Sequence, residues 1–281
     1  MRYIDSIKGS LIALVVFVLV TFFVPGKGPS QDIELILTIS TFLFAIFAGF
    51  IISRSVGKYS IIKASASQED ALFLSLYKTS QLIGEGFSKK IRELIDSYYI
   101  RIYDIYGTTK YPYKENLAYF MGIWDEIRKV KVAKNPQAYG RMLKLMSDIE
   151  SARNAASSKS RERLGKGRWS VLVILASIIL FSIFYLRNQA LYSQVITVLL
   201  ATTLVLVLLI IRDLQNIRGT SGGVIVESGQ EIFDIMGKPR YYNKYLIKGG
   251  WYKVPKGIKE YRLGTHRPGE EPKTKFVRNK K

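Results

Sequence analysis

Between Ile33 and Ile52 the chain carries a single charge, Glu34, close to the start of the stretch. An apolar run of about 20 residues, rising 1.5 Å per residue as a helix, spans the ~30 Å hydrocarbon core of a bilayer. The stretch therefore reads as a transmembrane helix, bounded by Asp32 and Arg54. Its helical pattern continues past Arg54 into charged sequence. A helix that leaves the membrane without a break would couple a soluble domain mechanically to the bilayer.

Three further apolar runs match it. The first, Gly9 to Val24, follows the basic start MRYIDSIK, as a signal peptide would. It ends in FFVPGKG, without a small-x-small cleavage pattern, and a second apolar helix follows at once, which favours a spanning helix. Pro25, Gly26, Gly28 and Pro29 make the turn of a hairpin. Trp169–Leu186 and Tyr192–Ile211 form the third and fourth runs, with Trp169, Tyr185 and Tyr192 at segment ends where amphipathic rings prefer the headgroup layer. Near the membrane ends, one side carries Arg2, Lys8, Arg54, Lys58, Lys63, Arg153, Lys159, Arg161, Arg163, Lys166, Arg168, Arg212 and Arg218. The other carries Lys27 and Arg187. The positive-inside rule places both termini in the cytoplasm of a multi-pass protein of the cell membrane.

The polar region between the two hairpins is helical by periodicity. Ala71, Leu72, Leu74, Leu76 and Tyr77, then Leu82, Ile83 and Phe87, then Ile91, Leu94 and Ile95 recur at three- and four-residue steps. Gly84 and Gly86 mark a bend, and Gly107 closes the block. TTKYPY reads as a loop because Pro112 disfavours helix at Tyr111. A second helix is expected over Glu115–Val132, with Leu117, Phe120, Met121, Trp124 and Ile127 on one face. A third is expected from Pro136 to Leu164, with Met142, Leu143, Leu145, Met146 and Ile149 inward. Three amphipathic helices can share one core. After GTSGG come the β-prone VIVES and a short helix to Met236, with Ser228 and Glu231 as a capping box. The final stretch interleaves basic residues with Tyr and Trp, while Gly and Pro interrupt every run. It reads as an irregular tail whose last ten or so residues are disordered, with Trp251 and Tyr252 suited to an anionic lipid surface. A solvated tail or single-stranded nucleic acid are the lesser readings.

The expected fold class is thus an all-α membrane protein: four transmembrane helices with a cytosolic helical bundle inserted between the second and third. The expected division is 1–53, 54–168, 169–211 and a basic cytosolic tail 212–281.

Composition removes several kinds of chemistry. The 281 residues include no Cys and one His, and carry net charge +20. Disulfides and thiolate metal sites are excluded, and His266 alone in a basic tail does not suggest a catalytic or metal centre. Neither GxxxxGK[ST] nor GxGxxG occurs. Glu69/Asp70 and Asp125/Glu126 are adjacent, diverge by about 100° on a helix, and read as solvated faces or ordinary ion pairs. No enzyme activity, cofactor or metal is expected. A charge of +20 attracts nucleic acid or the anionic inner leaflet, and the spanning segments favour the bilayer over nucleic acid.

Within the second spanning helix Phe42, Ile46 and Phe50 recur at i, i+4, i+8, with Gly49 before the last. Leu43 and Phe47 form a competing stripe, and Ala45/Gly49 is a small-xxx-small pair suited to helix packing. Periodicity leaves open which of these faces an axis, a neighbouring helix or lipid.

Phe42-x-x-x-Ile46-x-x-Gly49-Phe50-Ile-Ile resembles the neck helix of bestrophin channels, where an apolar triplet at this spacing precedes a Gly-Phe pair and a nearby arginine. FAGFIISR, ASQEDALFLSLY, SARNAASSKSRERL and the closing IIRDL make residues 38–235 similar to the prokaryotic bestrophin-like domain family. The order of two spanning helices, a long helical segment, two spanning helices and a tail is also the bestrophin arrangement. The resemblance implies an oligomer, a pentamer as in bestrophins, conducting chloride or another small anion through a hydrophobic neck of Phe42, Ile46, Gly49 and Phe50. Arg54, Lys58 and Lys63 would then form rings of positive charge. No acidic cluster follows the fourth helix, so calcium gating is not expected. The alternative is a non-conducting membrane-anchored scaffold whose cytosolic helices bind a partner protein.

Overall fold

The computed structural model describes residues 6–105, 116–215, 229–249, 253–267 and 270–278. The chain divides into two compact units, Met1–Gly57 with Arg163–Asn216, and Lys58–Glu162 with Ile217–Lys281.

The first unit holds α1 (Ser6–Phe23), the opening part of α2 (Gln31–Gln81), α6 (Lys166–Leu186) and α7 (Leu191–Gln215). All four helices are long and apolar enough to cross a membrane. Phe44, Ala48 and Ile51 of α2 meet Leu172, Ala176, Ile179 and Ile183 of α6 and Ala201, Leu204 and Ile211 of α7. Alanine recurs in this core because helices without a hydrophobic drive between them gain most from close approach. The small residues that do so are Ala48, Ala176 and Ala201. Ala45 and Gly49, the expected packing pair, are exposed instead.

Polar contacts fix the ends of these helices. Asp213, in the IIRDL stretch, accepts from the backbone N–H of Ser6 at 3.1 Å, placing a carboxylate where the α1 dipole is positive. At the opposite ends, the N–H groups of Lys27 and Gly28 donate to the Tyr185 carbonyl near the C-terminus of α6. Arg187 returns the favour by donating Nη2–H to the Val24 carbonyl beyond α1. Gly26 allows this closeness, since a Cβ there would collide with the Arg187 carbonyl.

The second unit holds the rest of α2, then α3 (Glu85–Ile105), α4 (Leu117–Arg128), a 3₁₀ turn (Val132–Lys134) and α5 (Pro136–Arg161). The expected bend falls at Gly84, whose φ of 144° is open only to glycine without strain. Asn135 Nδ2 donates to the Leu82 carbonyl at 3.2 Å and satisfies one of the groups freed there. The core joins Phe73 and Leu76 of α2, Ile91, Ile95 and Ile102 of α3, Phe120, Ile123 and Ile127 of α4, and Met142, Met146 and Ile149 of α5. The α5 face agrees with the sequence pattern. On α4 it is rotated: Leu117 and Met121 are exposed, while Ile123 is fully buried.

The all-α expectation requires a correction beyond α7. Residues 229–235 form α8 and Lys244–Lys248 form α9, but a three-stranded sheet accompanies them. β1 (Arg240–Asn243) pairs parallel with β2 (Glu260–Gly264), and β2 pairs antiparallel with β3 (Thr274–Arg278), Tyr261 opposite Val277. Four- and five-residue strands leave too little alternation to be read as a pattern. β3 also lies inside the segment expected to be disordered. Rather than standing apart as a tail, this region delivers Ile232, Phe233, Met236, Tyr241, Tyr242 and Leu246 to the unit's core. VIVES, Ser228, TTKYPY, Trp251 and Tyr252 lie outside the described residues.

Candidate functional site

One face of α2 packs and the other does not. Ser40, Phe44, Ala48, Ile51, Ser55, Lys58 and Ile62 are buried along one stripe. Opposite it, Phe42, Ile46 and Phe50 are 65%, 57% and 64% exposed, and nothing approaches the Cβ position of Gly49. A four-residue step drifts by about 40° around an ideal helix, so the triplet forms a slanting row. Ser53 and Gly57 continue the open face, and by the same phase so do Ser60, Ala64 and Ser67. The row thus runs from bulky apolar side chains into small and hydroxylated ones. Leu43 of the competing stripe is exposed and Phe47 half-buried, packed against the core.

The three candidate cations separate. Arg54 and Lys63 are exposed. Lys58 requires a correction: it falls on the packed stripe, is buried, and donates Nζ–H to the Glu162 carbonyl at 2.6 Å beyond the end of α5. Its ammonium is spent on internal structure instead of on the open face.

The polar side chains that do converge lie in the second unit, and sequence reasoning missed them. Asp104, at the end of α3, accepts from His266 Nε2 at 2.6 Å, from Tyr241 Oη at 2.5 Å and from Asn243 Nδ2 at 2.8 Å. All four side chains are buried. The Lys273 N–H donates to His266 Nδ1 at 2.9 Å, so the ring proton sits on Nε2 and faces the carboxylate. Gly264 leaves room for the Tyr241 hydroxyl, which a Cβ would strike. Beside this cluster Arg262 grips Asp96 with two hydrogen bonds, Nη1–Oδ2 at 2.8 Å and Nη2–Oδ1 at 2.7 Å. Lys238 pairs with Glu93 at 2.7 Å and Arg278 with Glu260 at 2.7 Å. Three cations of this basic region, Lys238, Arg262 and Arg278, are thus paired with carboxylates of the same unit. In five of these pairings the partners lie more than a hundred residues apart, which no local motif could reveal.

Glu69 and Asp70 also depart from the solvated reading. Glu69 is buried and accepts from Tyr98 Oη, while Asp70 accepts from Tyr99 Oη at 2.7 Å. Burial, with the charges of Asp70 and Glu69, holds the Tyr99 phenol well above its ordinary value. The Arg153 guanidinium, fully buried, lies over the Phe120 ring at 4.1 Å and near Tyr98 at 5.3 Å. Asp125 and Glu126 are ordinary ion pairs, with Arg128 and with Lys129 and Lys90. The hydrogen bond from Lys129 holds the Glu126 carboxyl below its usual value against an opposing push from burial. Among the described residues no three His, Asp or Glu side chains gather as a metal site would need.

A family model described as Bestrophin-like domain matches residues 9–216. No curated protein and no solved structure matches the chain. The match runs from within α1 to the end of α7 and stops before α8, so the sheet and the Asp104 partners Tyr241, Asn243 and His266 lie beyond the matched residues.

Proposed function

Since the chain belongs to the Bestrophin-like domain family, we propose that it is an oligomeric channel of the cell membrane, conducting chloride or another small anion. The four long apolar helices cross the bilayer, with both termini and the second unit in the cytoplasm, as the lysine and arginine distribution favours. The protomers surround a central axis, five of them if the assembly follows bestrophins. The observation that carries this reading is the open face of α2, where Phe42, Ile46 and Phe50 remain more than half exposed while the helix packs through its opposite side.

A ring of such residues narrows an aqueous path into an apolar constriction. Water leaves it readily, ions follow, and the pore closes without a moving plug. Gly49 permits Phe50 of neighbouring protomers to approach, having no side chain of its own. Beyond the constriction Ser53 and Gly57 widen the path. Repeated around an axis, Arg54 and Lys63 raise the local anion concentration and disfavour cations. Lys58 plays no part in this, being held by Glu162.

The test is ion flux through purified protein in liposomes under a chloride gradient. Anion flux that increases in the Phe42→Ala, Ile46→Ala, Phe50→Ala triple variant supports both the channel and its constriction. Silence from wild type and variant, with insertion verified, favours the membrane-anchored scaffold, as does a monomer in detergent.

A further inference from the structure

The first unit contains an apolar groove of about 540 Å³ between α1 and α6, floored by Phe17 and Val20 of the one and Phe181 and Phe184 of the other. That volume is within the range of small-molecule sites. Its rim is formed by the link between α1 and α2, and among the described residues Lys27 is the one charged side chain that lines it.

Arg187 lies at the same end. It is 3% exposed, and its Nη2 donates to the carbonyl of Val24, itself a groove residue. Its guanidinium carbon stands 5.9 Å from the Phe184 ring. Nη1, however, is buried with no hydrogen-bond partner among the described residues. A buried guanidinium donor without an acceptor is costly, and such a donor calls for an anion. Neither connecting segment, residues 24–30 nor 187–190, contains an acid. The nearest in sequence, Asp32 and Glu34, are exposed in the first turn of α2, where the helix dipole already favours them.

An inorganic anion could satisfy Arg187 but would leave the groove empty, and a lipid without phosphate, such as diacylglycerol, would fill the groove but leave Nη1 unsatisfied. Phosphatidylcholine has the phosphate but would add a fixed cation beside Arg187 and Lys27, where neither connecting segment supplies an acid. A phospholipid with net negative charge meets all three conditions. We infer that this groove holds an acyl chain of an anionic phospholipid whose phosphate is received by Arg187 and Lys27. The inference rests on the membrane placement proposed above, and not on conduction. Guanidinium and ammonium together suit a phosphodiester, the first as a planar donor and the second as a mobile point charge.

The test incubates detergent-purified full-length protein with phosphatidylglycerol, phosphatidylcholine, diacylglycerol or inorganic phosphate, then counts retained lipid by native mass spectrometry and records the melting temperature. Phosphatidylglycerol is expected to be retained about fivefold or more over the other two lipids, and Lys27→Ala to reduce that retention about fivefold. Val20→Phe, which fills the groove and leaves both cations in place, should reduce it as well. Equal retention of phosphatidylglycerol and phosphatidylcholine overturns the inference, as does retention that neither variant changes. Phosphate alone raising the melting temperature as much as phosphatidylglycerol would remove the groove from the argument and also overturn it. A chain that leaves membranes without detergent contradicts the membrane placement itself, a result distinct from all of these.

Discussion

His266 donates its Nε2–H to Asp104 Oδ2 across 2.6 Å, joining the region after α9 to the end of α3 with both side chains buried. Asp104 keeps Tyr241 and Asn243 as donors when the ring is removed, but a buried carboxylate then loses its shortest nitrogen partner. His266→Ala is therefore expected to cost ~2–3 kcal/mol of the second unit's stability. It should also speed proteolysis after α8 in the otherwise folded protein. Limited proteolysis with fragment mapping reads this directly.

The two sides of α2 should respond oppositely to truncation. Alanine at Phe42, Ile46 and Phe50 together removes exposed side chains and should leave the melting temperature of the detergent-solubilised protein within about two degrees. Phe44→Ala opens a cavity among Ala48, Leu172 and Ala201 and should lower it clearly, in line with the ~3–5 kcal/mol typical of a buried Phe. Thermal unfolding of the two variants side by side checks the contrast.

Charge removal should separate the three cations. Arg54→Gln with Lys63→Gln is expected to reduce chloride-over-sodium selectivity without loss of folded protein, measured as a reversal potential in planar bilayers. Lys58→Gln is expected to destabilise the protein instead, because it strips the Glu162 carbonyl of a buried charge-assisted donor.

The second unit should lose stability at both extremes of pH. Glu126 has its carboxyl lowered by Lys129, so the stabilisation is complete above the ordinary carboxylate value and disappears as pH falls through the lower folded one. Tyr99 has its phenol raised, so above the ordinary tyrosine value the unfolded chain releases a proton that the folded one keeps, and stability falls as pH rises further. Glu126→Gln should flatten the acid limb alone, and Tyr99→Phe the alkaline limb alone, in denaturant titrations across pH.

The helices were legible because their signals are local. Apolar runs of spanning length, Gly84 at a break and Pro136 at a start lie within a few residues of what they specify. The open face of α2 was only half legible. The Phe42, Ile46, Phe50 spacing is visible in the sequence, but so is Leu43 with Phe47, and Ala45 with Gly49 looked a better packing pair than the lone Ala48 that packs. Choosing among them needs the neighbours on α6 and α7, which periodicity does not contain. Lys58 illustrates the same limit, since its partner Glu162 is 104 residues away. The region after α7 was the least legible. Its strands are shorter than the window over which alternation becomes evident, and its aromatic and basic residues find their partners on α3, where Asp96, Asp104 and Glu93 gave no sign of being anything but surface acids.

The buried stripe of α2 also limits how such a chain can vary. From Phe44 through Ala48, Ile51, Ser55, Lys58, Ile62, Ser65 and Glu69 to Phe73 and Leu76 its buried residues follow in steps of four and three. One residue inserted near Gly57 would turn everything beyond it by about 100°, while seven would turn it by only about 20°. Point substitutions on the exposed side meet no such barrier. Lineages that share this architecture should accordingly show freer exchange of residue type on the exposed side of the helix than along its buried stripe, and length changes there only in whole heptads.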